Sequence, residues 1–242
     1  MRQLLPTPVG EIDLQAAYAY PTDPARLPWV RANMVTSLDG AAAVDGRSGA
    51  LGGPGDKAVF GVLRGLADAV LVGAGTARIE GYRALRAKPD FAEVRAACGQ
   101  RSAPVLVLVS ARLDLDPESA LFHGGVQRTI VVTHKGSDPV LRDRLSVVAE
   151  VVVAGDDAVD IGAALDALAA RGYVRVLCEG GPRLLADLSA AERLDELCLT
   201  VAPRVVGGDS SRIIAGAALD LSFGLVHLLD DDGTLFARYV HA

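Results

Sequence analysis

Short runs of Val, Leu and Ile recur along the chain, separated by segments with helical spacing of apolar residues. The runs predict strands near 29–36, 69–73, 104–109, 128–133, 148–153, 173–178, 195–202, 223–229 and 234–240. Several, such as Ala69-Val70-Leu71-Val72 and the run Pro104 to Val109, have no polar face. A strand apolar on both sides belongs in the middle of a sheet with helices above and below. A helix is expected over 54–66, opened by Pro54, with Val59, Phe60, Leu63 and Leu66 on one face. Asp138-Pro139 makes an N-cap followed by a first-turn proline. Residues 158–171 carry Ile161, Leu165 and Leu168 at helical spacing before Gly172, and Pro182 opens a further helix with Leu184, Leu185 and Leu188. Asp230-Asp231-Asp232-Gly233 joins the last two runs as a hairpin.

The pattern therefore predicts an α/β fold, with a mixed, mostly parallel sheet flanked by helices and closed by a C-terminal antiparallel hairpin. Residues 1–28 hold Pro6, Pro8, Pro21, Pro24 and Pro28 and read as an irregular N-terminal arm. Residues 29–242 read as one domain, within which 87–103 looks like an exposed insertion. Neither an internal repeat nor a low-complexity tract interrupts it.

Composition narrows the class. Half of the 242 residues are hydrophobic, enough for a sizeable core, and aromatics are few. The formal charge of −6 argues against a nucleic-acid backbone or an anionic membrane as partner. Cys98, Cys178 and Cys198 are odd in number and far apart, which argues against a disulfide framework or a cysteine zinc site. His123, His134, His227 and His241 lack metal-ligand spacing, so no metal is expected. With no signal-peptide pattern and no apolar run long enough to span a bilayer, a cytoplasmic location is expected.

Three motifs could carry chemistry. Val70-Leu71-Val72-Gly73-Ala74-Gly75-Thr76 runs a strand into a glycine turn, where backbone N–H groups can approach a phosphate. Arg78 stands where a Rossmann fingerprint needs its third glycine, so that fingerprint is absent. A Rossmann dehydrogenase also predicts a doubly wound, all-parallel sheet, which the C-terminal hairpin contradicts. Leu177-Cys178-Glu179-Gly180-Gly181-Pro182 delivers a carboxylate, a bare backbone and then a helix N-terminus, a geometry suited to anions. Asn33 to Gly40 ends a strand in an acidic, glycine-closed turn. Ser110 and Thr133, with Arg112 and Lys135 close behind, follow apolar strands where they could hold an adenosine 2′-phosphate or serve as ordinary loop residues.

Taken in order, Ser-Leu-Asp-Gly (37–40), Val-Gly-x-Gly-Thr (72–76), Glu-Gly-Gly-Pro-x-Leu-Leu (179–185), then Asp195-Glu196-Leu197, Ala202-Pro203 and Gly207-Gly208 resemble the reductase domain of the bifunctional riboflavin-pathway deaminase-reductase. The zinc-deaminase pattern is absent, so the resemblance is to the stand-alone, actinobacterial type. It implies a dihydrofolate-reductase-like fold, a homodimer, NADPH, and reduction of 5-amino-6-(5-phosphoribosylamino)uracil to its ribitylamino product. By position it places cofactor contacts on Val35, Ala50, Gly73, Gly75, Thr76, Glu80, Ser110 and the run Gly180, Gly181, Pro182, Arg183, Leu184 and Leu185. Substrate contacts fall on Asn33, Ser48, Arg64 and Glu179, and the catalytic assignments are Asp39, over the nicotinamide, and Glu179, accepting hydrogen bonds from the substrate.

The chain departs from the family in places. Asn33 replaces a frequent lysine, Glu80-Gly81-Tyr82-Arg83 replaces an Asp, Asn/Asp-Pro and arginine pattern, and Ala50 replaces a large apolar residue. Losing the lysine weakens the expectation of a ribose-phosphate substrate. Two other readings stay open: a dihydrofolate or pterin reductase, and a protein that holds NADPH without turnover.

Overall fold

The computed structural model describes all residues, Met1–Ala242. In chain order the elements are β1 (Arg2–Leu5), α1 (Leu14–Ala17), β2 (Trp29–Ser37), α2 (Pro54–Leu66), β3 (Ala69–Gly73), α3 (Ala74–Ile79), α4 (Ala92–Ala97), β4 (Val105–Val109), β5 (Ile130–Thr133), α5 (Pro139–Ser146), β6 (Glu150–Val153), α6 (Ile161–Ala169), β7 (Arg175–Cys178), α7 (Pro182–Ala190), β8 (Glu196–Ala202), β9 (Phe223–Asp231) and β10 (Thr234–His241). One ten-stranded sheet runs β1-β9-β10-β8-β2-β7-β3-β4-β5-β6. The pairings from β8 through β6 are parallel, while β10 with β8, β9 with β10 and β1 with β9 are antiparallel. This is the mixed, mostly parallel sheet that the pattern predicts, with the hairpin at its end. No helix is long and apolar enough to cross a membrane.

Alternation along the central strands feeds two cores. Val70, Val72, Leu106, Leu108 and Val131 face Val59, Leu63 and Leu66 of α2, Ala77 of α3 and Leu145 of α5. Leu71, Val105, Val107, Ile130 and Val132 face Ile161, Leu165 and Leu168 of α6 and Leu184, Leu185 and Leu188 of α7. Helix boundaries follow local chemistry. Gly53 and Pro54 open α2, the Asp138 side chain accepts the Val140 N–H (2.8 Å) to open α5, and Asp160 accepts the Ala163 N–H (2.9 Å). That last bond starts α6 at Ile161 rather than 158. Asp232 and Gly233 both take positive φ, as the hairpin turn requires.

Two expectations need refinement. The N-terminal arm is irregular over most of its length, but it is tied to the fold: β1 extends the sheet by pairing with β9, Arg2 opposite Asp230, and Tyr18 is fully buried. Its partners lie at the far end of the chain, beyond the reach of a local pattern. Segment 87–103 is largely exposed, as expected, but it is anchored in the fold by buried Phe91 and Arg95. Phe91 packs where Gly65 leaves room, and buried Arg95 donates from Nη1 to the carbonyls of Gly65 (2.8 Å) and Ala67 (2.7 Å). The segment thus satisfies carbonyls that the end of α2 leaves without helical partners.

A buried ion cluster ties the arm down. Arg31 on β2 and Glu196 on β8 are directly paired and have no solvent exposure. Glu196 also accepts from Arg238 Nε (2.8 Å) and Trp29 Nε1 (3.1 Å), while Arg31 and Arg238 donate to the carbonyls of Tyr18 (2.7 Å) and Ala17 (2.8 Å). Burial alone would raise the Glu196 carboxyl, but Arg31 and Arg238 hold it below the usual range. His227 stacks edge-on against Tyr18 at 4.9 Å. Burial, aided by the Arg238 charge, lowers its imidazole to about 4. The folded imidazole therefore stays neutral while the unfolded one protonates near 6.5. Stability is accordingly expected to fall, by about 3 kcal/mol at most, as pH drops from 6.5 to 4. His227→Leu should flatten that part of the curve in denaturant titrations across pH, and an unchanged slope would refute the assignment.

Candidate functional site

The parallel register sets the tips of β2, β7, β3, β4 and β5 along one edge of the sheet. There the two glycine turns meet. The Gly73 N–H donates to the Gly180 carbonyl at 2.9 Å, and the Glu179 N–H donates to Leu71 O at 3.0 Å. A Cβ on Gly73 would sit 3.6 Å from Gly181 N, and one on Gly181 would overlap Thr76 Oγ1. Gly180 takes φ +85° and precedes a cis peptide bond to Gly181. Gly181 then caps α7 at its N-terminus, with Pro182 at the first helical position. Gly75, in the first turn of α3, has nothing within 4 Å of a built Cβ.

Beside this corner opens a cleft of about 750 Å³. Of the expected site residues, Asn33, Val35, Ser48, Arg64, Thr76, Glu80, Glu179, Gly181 and Pro182 line it. They come from β2, α2, α3, the loops after them, the β7 tip and the start of α7. The carboxylate of Glu179 is engaged from inside the protein. Oε1 accepts from Arg64 Nε (2.7 Å), and Oε2 accepts from Arg64 Nη2 (2.7 Å) and the Tyr82 hydroxyl (2.6 Å). This forked ion pair holds the guanidinium between the rings of Phe60 (4.2 Å) and Tyr82 (5.0 Å). Burial raises the Tyr82 phenol, and the Glu179 charge raises it further, so it stays a neutral donor. For Arg64, burial works against the charge, but Glu179 more than offsets this and the pKa is raised.

Other expected residues stand outside the lining. Asp39 is exposed at the end of β2, where it accepts from Ser37 Oγ and from the N–H groups of Val206 (3.1 Å) and Gly207 (2.7 Å). Those bonds, Ser37's foremost, hold its carboxyl at about 2. It fastens the loop after β2 to the loop after β8. Ala50 also lies outside, and its carbonyl accepts from Arg204 Nη1 (2.6 Å). Ser110 is buried at the β4 tip, its Oγ accepting the Leu113 N–H (3.0 Å). Arg183 points outward at the start of α7, while Leu184 and Leu185 are buried, so only their backbone faces the corner.

Glu80 and Ser48 clasp each other across the cleft mouth. Glu80 Oε1 accepts both the N–H (2.8 Å) and the hydroxyl (2.9 Å) of Ser48. Sequence reading did not single out Asp56, Phe60 or Tyr82 as site residues, yet all three line the cleft. For two of them a signal was present: Asp56, Phe60 and Arg64 are spaced by four and share one face of α2. Tyr82 carries no such pattern, because only folding brings it to Glu179.

The structure defines an α/β protein with an open cleft at the carboxyl edge of its parallel strands, beside a paired glycine corner. The chain belongs to the RibD C-terminal domain family, matching it over residues 28–235. It is 27% identical over 185 residues to the 2,5-diamino-6-ribosylamino-4(3H)-pyrimidinone 5′-phosphate reductase of Archaeoglobus fulgidus, covering 76% of this chain and 84% of that one. It is 29% identical over 194 residues to the enzyme of the same name from Methanothermobacter thermautotrophicus, covering 80% and 86%. A crystal structure of a pyrimidine reductase-like protein from Corynebacterium diphtheriae superposes with a TM-score of 0.81 at 29% identity, over 89% of this chain and 92% of that one.

Glu80→Ala removes the clasp without touching either core. Amide exchange in residues 44–50 is expected to rise by roughly tenfold, the equivalent of one lost charged hydrogen bond. Protection left unchanged there would show that Ser48 is held by other means.

Proposed function

We propose that the chain is an NADPH-dependent reductase of the riboflavin-pathway type. Its substrate is a 6-(ribosylamino)pyrimidine 5′-phosphate, with the phosphoribosylaminouracil as the form the family resemblance implies, and its product is the ribitylamino compound. The observation that carries this reading is the Gly73–Gly180 contact, which joins the two glycine turns beside the cleft holding Arg64 and Glu179.

The corner fits a dinucleotide. Gly75 and Gly181 leave bare backbone, Thr76 Oγ1 lies against Gly181, and the N-terminus of α7 favours negative charge. From β7 to β5 is three strand steps, about 14 Å, enough for a diphosphate, a ribose and an adenine across the tips. In this placement Val35 and Ser48 lie toward the nicotinamide, while the exposed Arg112 and Lys135, just beyond the far tips, lie toward the adenosine end and favour NADPH; Ser110 and Thr133 are buried behind them. When bound, the cofactor supplies the hydride that turns the ring-opened C=N bond into an amine. The chain supplies position. Arg64, held by Glu179 and Tyr82, keeps Nη1 for the substrate's phosphate or carbonyl oxygen, and Glu179 acts through it. Asp39 and Glu80 keep the covering loops closed over the site.

Homodimerisation and a cytoplasmic location belong to the same proposal. Exposed Leu5, Val9, Leu225 and Val226 at the antiparallel end support a surface that a second copy covers. Pterin reduction is the second reading, favoured by Asn33 standing where a phosphate-pairing lysine is common in the family.

Single-turnover mixing of the NADPH-loaded protein with the ribosylamino-pyrimidine and with dihydrofolate tests the reading. Oxidation with the first is expected; none with either leaves only cofactor binding. For the corner, Gly75→Asp is a better probe than a change at Gly181, which would push Thr76 aside. It should weaken NADPH affinity by roughly 10- to 100-fold (~1.4–2.8 kcal/mol) with unfolding unchanged, and unaltered affinity would rule the placement out. Glu179→Gln should lower kcat/KM on the order of 100-fold while NADPH affinity shifts less than about threefold. The reverse order would make Glu179 part of the cofactor site.

A further inference from the structure

At the amino-terminal edge of the parallel strands, beside the starts of β3, β4, β5 and β7, lies a second cavity of about 340 Å³. Four arginines line it: Arg95 on α4, Arg101 before β4, Arg171 after α6, and Arg175 at the start of β7. Of its lining residues, Arg95 alone also lines the cleft. Asp68 is the one carboxylate in the lining, and its oxygens are already engaged. Oδ1 accepts from Gln100 Nε2 (2.7 Å), and Oδ2 accepts the N–H groups of Val174 (3.1 Å) and Arg175 (2.9 Å). The Arg175 guanidinium stands 3.7 Å away, beyond hydrogen-bonding distance. Arg171 pairs with Glu150 (2.7 Å), outside the lining. Arg95 and Arg101 pair with no carboxylate. Arg95 donates from Nε and Nη1 to backbone carbonyls and leaves Nη2 buried without a partner. Arg101 lies over the Tyr173 ring at 4.5 Å and donates to Gln127 Oε1 (3.0 Å). Burial lowers the Arg95 pKa; Asp68 opposes this, and the Arg175 charge lowers it again.

The chain as a whole carries a charge of −6, so four cations around one cavity do not follow from composition. A recess lined by one sign of charge focuses the field and concentrates the opposite ion. The guanidinium fork presents parallel N–H donors at the spacing of oxyanion oxygens, and it is the side chain best matched to phosphate. The cavity lies at the small end of ligand sites, which run from roughly 300 to 1,000 Å³. That leaves room for one or two phosphate groups on a small organic body, and none for a polymer.

We propose that this amino-edge cavity is a second ligand site, which binds a small phosphate-bearing anion through Arg101 and Arg175, with Arg95 and Arg171 adding to the positive field. The site goes beyond the reductase reading and stands without it, because its residues lie across the sheet from the glycine corner.

Cys98 supplies the readout. It lines the cavity and is exposed, whereas Cys178 and Cys198 are buried, so a neutral maleimide labels Cys98 alone. The labelling rate of the full chain is followed in pyrophosphate, inorganic phosphate and ribose 5-phosphate, each compared with sodium chloride at the same ionic strength. At least one of the three should slow labelling about fivefold, with half the effect reached below about 1 mM. The probe that protects at the lowest concentration tells whether a diphosphate or a phosphomonoester is preferred. Arg101→Gln and Arg175→Gln each remove one guanidinium that solvent reaches. Either change should raise the half-protecting concentration about tenfold, with denaturant unfolding and NADPH affinity unaltered. Gly75→Asp, placed at the glycine corner, should leave the protection of Cys98 intact, which separates this site from the cleft. Labelling no slower than in chloride, protection undiminished in both arginine variants, or protection lost in Gly75→Asp overturns the proposal. Turnover and NADPH binding are read in separate assays, and their failure would strike the reductase reading while leaving this site standing.

Discussion

The contact between the Gly73 N–H and the Gly180 carbonyl is the constraint on which the site depends. It exists because β3 and β7, far apart in the chain, are parallel neighbours whose tips end level with each other. Each strand leaves its last peptide at the sheet edge. A Cβ on Gly181 would overlap Thr76 Oγ1, whereas one on Gly73 would make only an ordinary contact, 3.6 Å from Gly181 N. Glycine is required at the second turn, where Gly180 takes φ +85° and Gly181 lies against Thr76, and it leaves bare peptide beside the cleft. Removing the register would leave two unrelated strand-exit turns.

Charge pairing then shapes what the cleft can receive. Glu179 is an acceptor in isolation, but the fork of Arg64 and the Tyr82 hydroxyl engage both its oxygens. The pair makes Arg64 a fixed, stacked cation rather than a mobile one, and makes Glu179 the group that aims it. Asp56 is the opposite case, with one hydroxyl donor and one oxygen left over. Two carboxylates lining one cleft therefore differ: one orients the protein's own cation, and the other keeps an oxygen without a protein donor. Asp39 and Glu80 work at one remove, holding loops by backbone and hydroxyl hydrogen bonds. The tight anchoring at Asp39 shows in its depressed pKa, and at Glu80 in the two bonds that one oxygen accepts from Ser48.

The far edge of the sheet is built on a different principle. Arg31, Glu196 and Arg238 bury charge with almost complete hydrogen bonding and recruit the carbonyls of Ala17 and Tyr18. Burying such a group is tolerable only when its partners are in place, so the cluster specifies where the N-terminal arm must lie. The site edge and the anchoring edge are thus separate, and the open cleft does not depend on loops for the sheet's integrity.

Sequence by itself determined the nine strands from Trp29 onward, the four principal helices, the hairpin and the mixed sheet. These follow from local periodicity, prolines, caps and turns, all of which act within a few residues. It also pointed to both glycine turns, because bare backbone between a strand and a helix is visible in one dimension. Only the tertiary structure decided that β1 joins β9, that Arg95 caps α2, that Tyr82 meets Glu179, and that Asp56 looks into the cleft beside Asn33. Each of these joins groups separated by tens to hundreds of residues, or turns on which face of a helix the sheet covers. Such pairings are selected by burial and hydrogen-bond satisfaction in the folded chain, and neither quantity is defined before the strands have found their order.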